Sequence, residues 1–254
     1  MLNTLEYGAD HGGTPVLIAH GLFGSGRNWG VIARRLADSY HLLTPDMRNH
    51  GDSPHSDSHG YPDMAQDLAD LIDAHGGRAH VIGHSMGGKA AMALALLHPQ
   101  KVASLMVADI APVSYGHSQQ QYIDAMRAVD LSQVEKRSDA AAQLAEQVDD
   151  TSLQAFFTQS LDVKAKAWKY NLDALEAEMP KVLSFPDLDG QYDGATFFLS
   201  GGKSDYVLPE HRDTIRAYFP KARFAKMPDA GHWLHADDPR GFEASVRAFL
   251  KAVA

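Results

Sequence analysis

The chain has 254 residues, a formal charge of −9 and no cysteine, and 44% of its residues are hydrophobic. A single hydrophobic core can serve a chain of this length. The acidic balance and the scattered cations argue against a nucleic-acid partner. Without cysteine there can be no disulfide and no thiolate zinc site, so nothing indicates an oxidising compartment.

The start of the chain, MLNTLEYGAD, lacks the basic and apolar regions of a secretory signal. The longest apolar run, residues 90–97, is too short to span a bilayer. The 14 histidines are dispersed, and their spacing fits no metal motif. We therefore expect a cytoplasmic protein with no membrane span and no metal.

Short apolar runs alternate with helical patterns along most of the chain. The predicted strands are Val16–Ala19, His41–Thr44, His80–Gly83, Val102–Ala108, Thr196–Ser200 and Arg223–Met227. The predicted helices are Trp29–Ala37, Pro62–His75, Gly87–Leu97, Glu210–Phe219 and Pro239–Val253. Alternation of this kind predicts an α/β fold with a mostly parallel central sheet and helices on both faces.

The alternation breaks once, from about Tyr115 to Phe185, where the sequence looks helical and free of strands. An insertion of this size favours a cap over the carboxyl edge of the sheet, where such folds bind ligands. We therefore predict one core domain from residues 1–114 and 185–254, with residues 115–184 as a helical cap.

The segment GHSMGG places Ser85 between a predicted strand and a predicted helix. A strand that turns at once into a helix strains the residue at its apex, and glycines two positions away relieve the crowding. Gly83 and Gly87 hold those positions. This G-x-S-x-G context predicts Ser85 as a nucleophile rather than a bystander in a packing turn.

A serine nucleophile needs a general base. His232 follows Gly231 in the loop after the last predicted strand and is the strongest candidate, with His235 as its nearest rival. His84 is expected to pack beside the serine turn, and His20 to brace its own loop.

The loop HGLFGS after the strand Val16–Ala19 predicts an oxyanion hole. In this class of site, one backbone N–H comes from such a loop and the other from the residue after the nucleophile. We assign Leu22, with Phe23 as the alternative, and Met86. A phosphate-binding loop is disfavoured because the chain has neither G-x-G-x-x-G nor G-K-[ST].

Two carboxylates compete for the role of the acid that orients the histidine. Asp109 closes the strand that follows the serine helix, whereas Asp205 follows the next strand, the more usual position. The chain order Ser, Asp, His fits either residue. Strand register favours Asp109, with Ser204 as a further hydrogen-bond partner of His232.

With these segments in place, the chain resembles the α/β-hydrolase superfamily, and in particular the YbfF-type bacterial esterases and their mitochondrial abhydrolase-domain relatives. The resemblance rests on HGLFGS, RNHG-x-SP, GHSMGGK, DIAPV, WKYNLDAL and AGHWLHAD. It implies hydrolysis of small carboxylic esters or thioesters through an acyl-enzyme, without a cofactor. An apolar pocket with a few aromatic side chains would suit short or medium acyl chains. It also implies Ser85, Asp109 and His232 as the triad.

Aromatic residues on loops and in the insertion are candidates for the substrate pocket. They are Phe23, Trp29, Tyr115, Phe156, Trp168, Tyr206 and Trp233. Other chemistries of serine α/β-hydrolases remain alternatives: C–C hydrolase, cofactor-free haloperoxidase and lyase. So does a small-molecule receptor with vestigial hydrolysis. The sequence does not choose between a monomer and a dimer.

Overall fold

A computed structural model describes residues 1–253. Its strands are β1 (Thr4–Tyr7), β2 (Val16–Ala19), β3 (Leu42–Pro45), β4 (Ala79–His84), β5 (Val102–Ala108), β6 (Leu161–Asp162), β7 (Ala167–Trp168), β8 (Thr196–Gly201) and β9 (Ala222–Met227). Its helices are α1 (Gly30–Leu36), α2 (Tyr61–Asp73), α3 (Met86–Leu97), α4 (Gln120–Ala128), α5 (Arg137–Leu144), α6 (Thr151–Thr158), α7 (Leu172–Ala177), α8 (Met179–Leu183), α9 (Arg212–Tyr218), α10 (Leu234–Asp237) and α11 (Pro239–Val253). Over residues 1–253, every helix is too short or too polar to cross a membrane.

Seven strands form one sheet in the order β1-β3-β2-β4-β5-β8-β9. β1 pairs with β3 in antiparallel orientation, and the other pairs are parallel. The predicted mostly parallel sheet is therefore confirmed. Because parallel strands share a carboxyl edge, the loops after β2, β4, β5, β8 and β9 all emerge on one side of the sheet.

Both faces of the central strands β2, β4 and β5 are buried, which explains why these strands are rich in apolar residues. Val16 and Ile18 of β2 pack with α1 and α11, whereas Leu17 and Ala19 of the same strand pack with α2 and α3. Alternate side chains of a strand point to opposite faces, so each strand supplies two separate cores.

Two expectations about the elements are wrong. The edge strand β1 was not predicted, because its residues are only partly buried and lack an apolar run. The insertion was expected to be free of strands, but β6 and β7 form an antiparallel hairpin within it. The helix that follows this hairpin, α7, begins at Leu172.

Candidate active site

Ser85 is the single residue between β4 and α3, and its backbone is strained, with φ 54° and ψ −123°. A β-carbon at Gly83 would lie 2.2 Å from the Gly87 carbonyl oxygen, and one at Gly87 would lie 2.4 Å from the Ala19 carbonyl oxygen. The flanking glycines are therefore required by backbone contacts that leave no room for a side chain.

Gly83→Ala is expected to lower the free energy of unfolding by about 3 kcal/mol or more, because the new methyl group meets backbone rather than a mobile side chain. Gly12→Ala is the matched control, since a β-carbon there has no heavy atom of residues 1–253 within 4 Å. That control should change stability by less than about 1 kcal/mol. Urea unfolding of both variants checks the prediction, and equal stability losses would contradict it.

Ser85, His232 and Asp109 form one hydrogen-bonded chain across three loops. His232 Nε2 lies 3.1 Å from Ser85 Oγ. Its Nδ1 lies 2.7 Å from Asp109 Oδ2. Because a carboxylate only accepts hydrogen bonds, Nδ1 carries the proton and Nε2 is free to accept from the serine hydroxyl. The arrangement can therefore draw a proton away from Ser85.

The Asp109 side chain is completely buried, and its φ of 52° turns it sharply away from the direction of β5. Its carboxylate also accepts hydrogen bonds from the Gly201 N–H at 2.8 Å and from the Ser204 hydroxyl. Ser204 thus contacts the carboxylate, where the sequence led us to expect a contact with His232. Asp205 lies exposed at the surface.

The His232 ring is held by neighbouring rings and by its own backbone. Tyr206 stacks on it with ring centroids 3.9 Å apart and planes 21° apart. His84 Nε2 donates to the His232 carbonyl oxygen at 2.8 Å, and burial keeps the pKa of His84 well below its usual value. The rival base His235 instead stacks on Trp29 at 4.1 Å.

The loop that carries Leu22 and Phe23 is held by a buried imidazole. His50 Nδ1 donates to the Arg48 carbonyl oxygen, so its Nε2 accepts from the Phe23 N–H at 3.1 Å. The Tyr170 hydroxyl donates to the Phe23 carbonyl oxygen at 2.6 Å. Both backbone polar groups of Phe23, whose φ is 60°, are therefore occupied within the protein.

The loop after β3 makes further contacts with the loop that carries Leu22 and Phe23. His20 Nε2 accepts from the Met47 N–H and its Nδ1 donates to the Gly21 carbonyl oxygen, each at 2.8 Å. Asp46 Oδ1 accepts from the Gly26 N–H at 2.8 Å. His50 of the RNHG motif, with Asp46 and Met47 just before that motif, therefore braces the loop that carries Leu22 and Phe23.

His59 lies buried beneath Met86, with Nε2 at 3.3 Å from the methionine sulfur. The Asn49 side-chain amide donates to its Nδ1 at 3.2 Å. Burial, followed by the charge of Arg48, lowers the pKa of His59 to about 3. The neutral imidazole is therefore the form that the folded chain accommodates.

In His59→Gln, the free energy of unfolding should decrease less as the pH falls than it does in the wild-type protein. The folded pKa lies below the unfolded value of about 6.5, so the contribution of neutral His59 is complete above that pH. It is lost as the pH falls toward 3, by up to about 1.4 kcal/mol per pH unit. Urea unfolding at about pH 7 and about pH 5 measures this slope. Exposed His55→Gln is the control; a His59→Gln slope equal to that of the control would contradict the prediction.

A cavity of about 620 Å³ opens above Ser85 and His232, and Leu22 and Met86 lie in its wall. Of the aromatic residues expected there, six line it: Phe23, Trp29, Tyr115, Phe156, Tyr206 and Trp233. Trp168 lies elsewhere, which corrects that expectation: it belongs to the β6–β7 hairpin and its Nε1 donates to the Met126 carbonyl oxygen at 2.9 Å. Sequence reasoning missed Tyr61, Lys89, His117 and Tyr122, which also line the cavity.

Comparison with known proteins shows the family to which the chain belongs. Residues 14–239 match the family model of the alpha/beta hydrolase fold. Esterase YbfF of Escherichia coli (strain K12) is 38% identical over 242 residues, covering 94% of each chain. The sn-1-specific diacylglycerol lipase ABHD11 of Mus musculus is 41% identical over 248 residues, covering 92% of this chain and 80% of that protein. A solved structure of a marine microorganism esterase has a TM-score of 0.92, with 36% identity and 98% of each chain covered.

The chain therefore belongs to the α/β-hydrolase fold family. Within that family it is an enzyme of the serine ester hydrolase class, as the resemblance to YbfF-type esterases implies.

Proposed function

We propose that the chain hydrolyses carboxylic esters of short or medium acyl chain, thioesters included, through an acyl-enzyme formed on Ser85. The observation that carries this proposal is the contact chain at the cavity floor, from Ser85 Oγ to His232 Nε2 at 3.1 Å and from His232 Nδ1 to Asp109 at 2.7 Å. The names of the E. coli and mouse relatives support an ester substrate.

In the proposed reaction His232 takes the hydroxyl proton as Ser85 Oγ forms a bond to the ester carbonyl carbon. The tetrahedral adduct collapses with cleavage of the bond to the alcohol oxygen, and His232 returns the proton to that oxygen. Water then attacks the acyl-enzyme by the same general-base route, releasing the carboxylic acid and free Ser85. Asp109 holds the imidazole in its reactive tautomer and stabilises its charged form.

The proposed oxyanion hole consists of the backbone N–H groups of Leu22 and Met86. Met86 is the first residue of α3, where an N–H has no partner within the helix and the helix dipole favours negative charge. Leu22 is a better second donor than Phe23, because His50 already accepts from the Phe23 N–H. Each such donor contributes about 10²- to 10³-fold to turnover in comparable sites.

We also propose that residues 115–184 form a cap that shapes the substrate site. Gln119, Tyr122, Leu153 and Phe156 of this insertion all line the cavity. Their mixture of apolar and polar side chains suits small esters, because a few polar groups suffice to orient a largely apolar ligand.

Steady-state hydrolysis of p-nitrophenyl esters from acetate to octanoate tests the function. We expect continuous turnover with a maximum among the short or medium chains. A single burst of p-nitrophenol without turnover would instead indicate the receptor alternative, and inertness toward the whole series would favour a different serine α/β-hydrolase chemistry.

A further inference from the structure

Lys89 is an unusual member of the cavity wall because its ammonium is buried without a counter-ion. The residue lies one turn into α3 from Ser85 and is 1% exposed. In the part of the chain that the structure describes, no carboxylate pairs with it, and burial alone lowers its pKa to about 7. Charged groups are rarely left in this condition, because burying an unpaired charge is costly.

Hydrogen bonds within residues 1–253 use two of the three N–H donors of the Lys89 ammonium. An ammonium group has three N–H donors. Nζ donates to the carbonyl oxygens of Leu183, at 3.0 Å, and Ser184, at 2.6 Å, at the carboxyl end of α8. Within residues 1–253 these are its hydrogen-bond acceptors. The remaining N–H and the positive charge are therefore available to a ligand.

Aromatic rings surround the ammonium on the cavity side. Nζ lies 4.8 Å from the centroid of the Tyr115 ring and 5.7 Å from that of Tyr61, and all three side chains line the cavity. Burial raises the pKa of both tyrosines, so they stay neutral: their ring faces attract the ammonium but supply no counter-charge. A water-poor surrounding of this kind strengthens an ionic hydrogen bond to a ligand.

The two carboxylates that line the cavity are used by backbone N–H groups. Asp150 accepts from Ser152 and Leu153 at the start of α6, and Asp237 accepts from the Gly231 N–H at 2.7 Å. Neither carboxylate forms an ion pair with Lys89 within residues 1–253, so an anionic substrate can supply that partner.

The position of Lys89 indicates which part of the substrate it meets. His232 must protonate the departing alcohol oxygen, so the alcohol part lies toward the His232 loop, whose Trp233 and His235 line the cavity. Lys89 lies on α3 and bonds to α8, whereas Trp233 and His235 lie after β9, and on this ground the side of Lys89 is assigned to the acyl part.

We propose that Lys89, with Tyr61 and Tyr115, forms a subsite for an anionic group at the end of the acyl chain. The substrates it favours are monoesters of dicarboxylic acids, which are hydrolysed to the dicarboxylic acid and an alcohol. The proposal rests on the ester hydrolysis proposed above and adds to it the chemical class of the acyl group.

The test compares matched ester pairs by proton release in a pH-stat. Monoethyl succinate, glutarate and adipate are set against ethyl butanoate, pentanoate and hexanoate. Lys89→Met should lower kcat/KM for the best anionic ester about 10- to 100-fold more than for its neutral partner, the range expected for a lost ionic hydrogen bond. Lys181→Met is the control, because Lys181 is an exposed lysine of α8 that pairs with Glu178.

Wild-type protein provides a second readout that does not depend on a folded variant. The ratio of kcat/KM between the anionic and neutral esters should fall as the pH rises above about 7, because free Lys89 loses its proton, and should level off after a total fall of about 10- to 100-fold. Effects of pH on the chemical step that both esters share cancel in the ratio. The other titratable groups facing Lys89 are Tyr61, Tyr115 and His117, and burial lowers the pKa of His117, so it is neutral in this range.

Two results would overturn the proposal: Lys89→Met lowers kcat/KM equally for both esters, or the wild-type ratio of kcat/KM does not change with pH. Lys89 would then serve only to connect α3 with α8. Continued hydrolysis of ethyl butanoate in that case would keep the proposed esterase function intact. If every ester were inert, the proposed function itself would fail.

Discussion

Ser85→Ala should lower ester turnover by about 10⁶-fold while leaving the fold intact. Alanine removes the hydroxyl that His232 Nε2 contacts at 3.1 Å. The residual rate would come from substrate binding and the oxyanion hole, as in other serine hydrolases whose nucleophile is deleted. The measurement is kcat with p-nitrophenyl butanoate under conditions where background hydrolysis is subtracted.

The control for this experiment is a change of comparable size away from the site. Ser245→Ala removes a hydroxyl that donates to the Gly241 carbonyl oxygen on the outer helix α11. It should keep wild-type kcat, and both variants should unfold at similar urea concentrations. If folded Ser85→Ala still hydrolyses the ester, Ser85 is not the nucleophile.

Asp109→Asn is expected to lower kcat by about 10⁴-fold. The Asp109 carboxylate accepts three hydrogen bonds, from His232 Nδ1, Gly201 and Ser204. An asparagine amide turned toward Nδ1 donates rather than accepts, so it places the imidazole proton on Nε2. In that tautomer His232 cannot take the proton of Ser85.

Asp205→Asn is the matched control, because it makes the same chemical change on an exposed residue of the competing loop. It should keep kcat within about twofold of wild type, as surface substitutions generally have small effects. Loss of turnover in Asp205→Asn with retention in Asp109→Asn would assign the acid to the loop after β8 instead.

Local sequence signals predicted much of the fold because they arise within single elements. The strands Val16–Ala19 and Val102–Ala108 and the helix Pro239–Val253 have the predicted bounds, since an apolar run or helical face ends at clear turn residues. β1 was missed because an edge strand is stabilised by its partner β3 rather than by its own composition. The β6–β7 hairpin was missed because each strand has only two residues.

In the candidate site, too, the sequence predicted what depends on local motifs and missed what depends on contacts between distant residues. Motifs within a few residues predicted Ser85 and His232, and strand register favoured Asp109 over Asp205. The contact of Asp109 with His232 Nδ1 at 2.7 Å joins residues 123 positions apart, and no local pattern encodes it. The sequence also could not predict the surroundings of Lys89, because the carbonyl oxygens that it contacts lie 94 and 95 residues further along the chain.

The most direct test of the central claim is to trap the acyl-enzyme. Protein mixed with p-nitrophenyl acetate is quenched in acid during turnover, digested and analysed by mass spectrometry. We expect one acetyl group per chain on the peptide that contains Ser85, decaying as substrate is exhausted. No such adduct should form in Ser85→Ala. An acetyl group confined to another residue, or steady turnover through a folded Ser85→Ala variant, would contradict nucleophilic catalysis by Ser85.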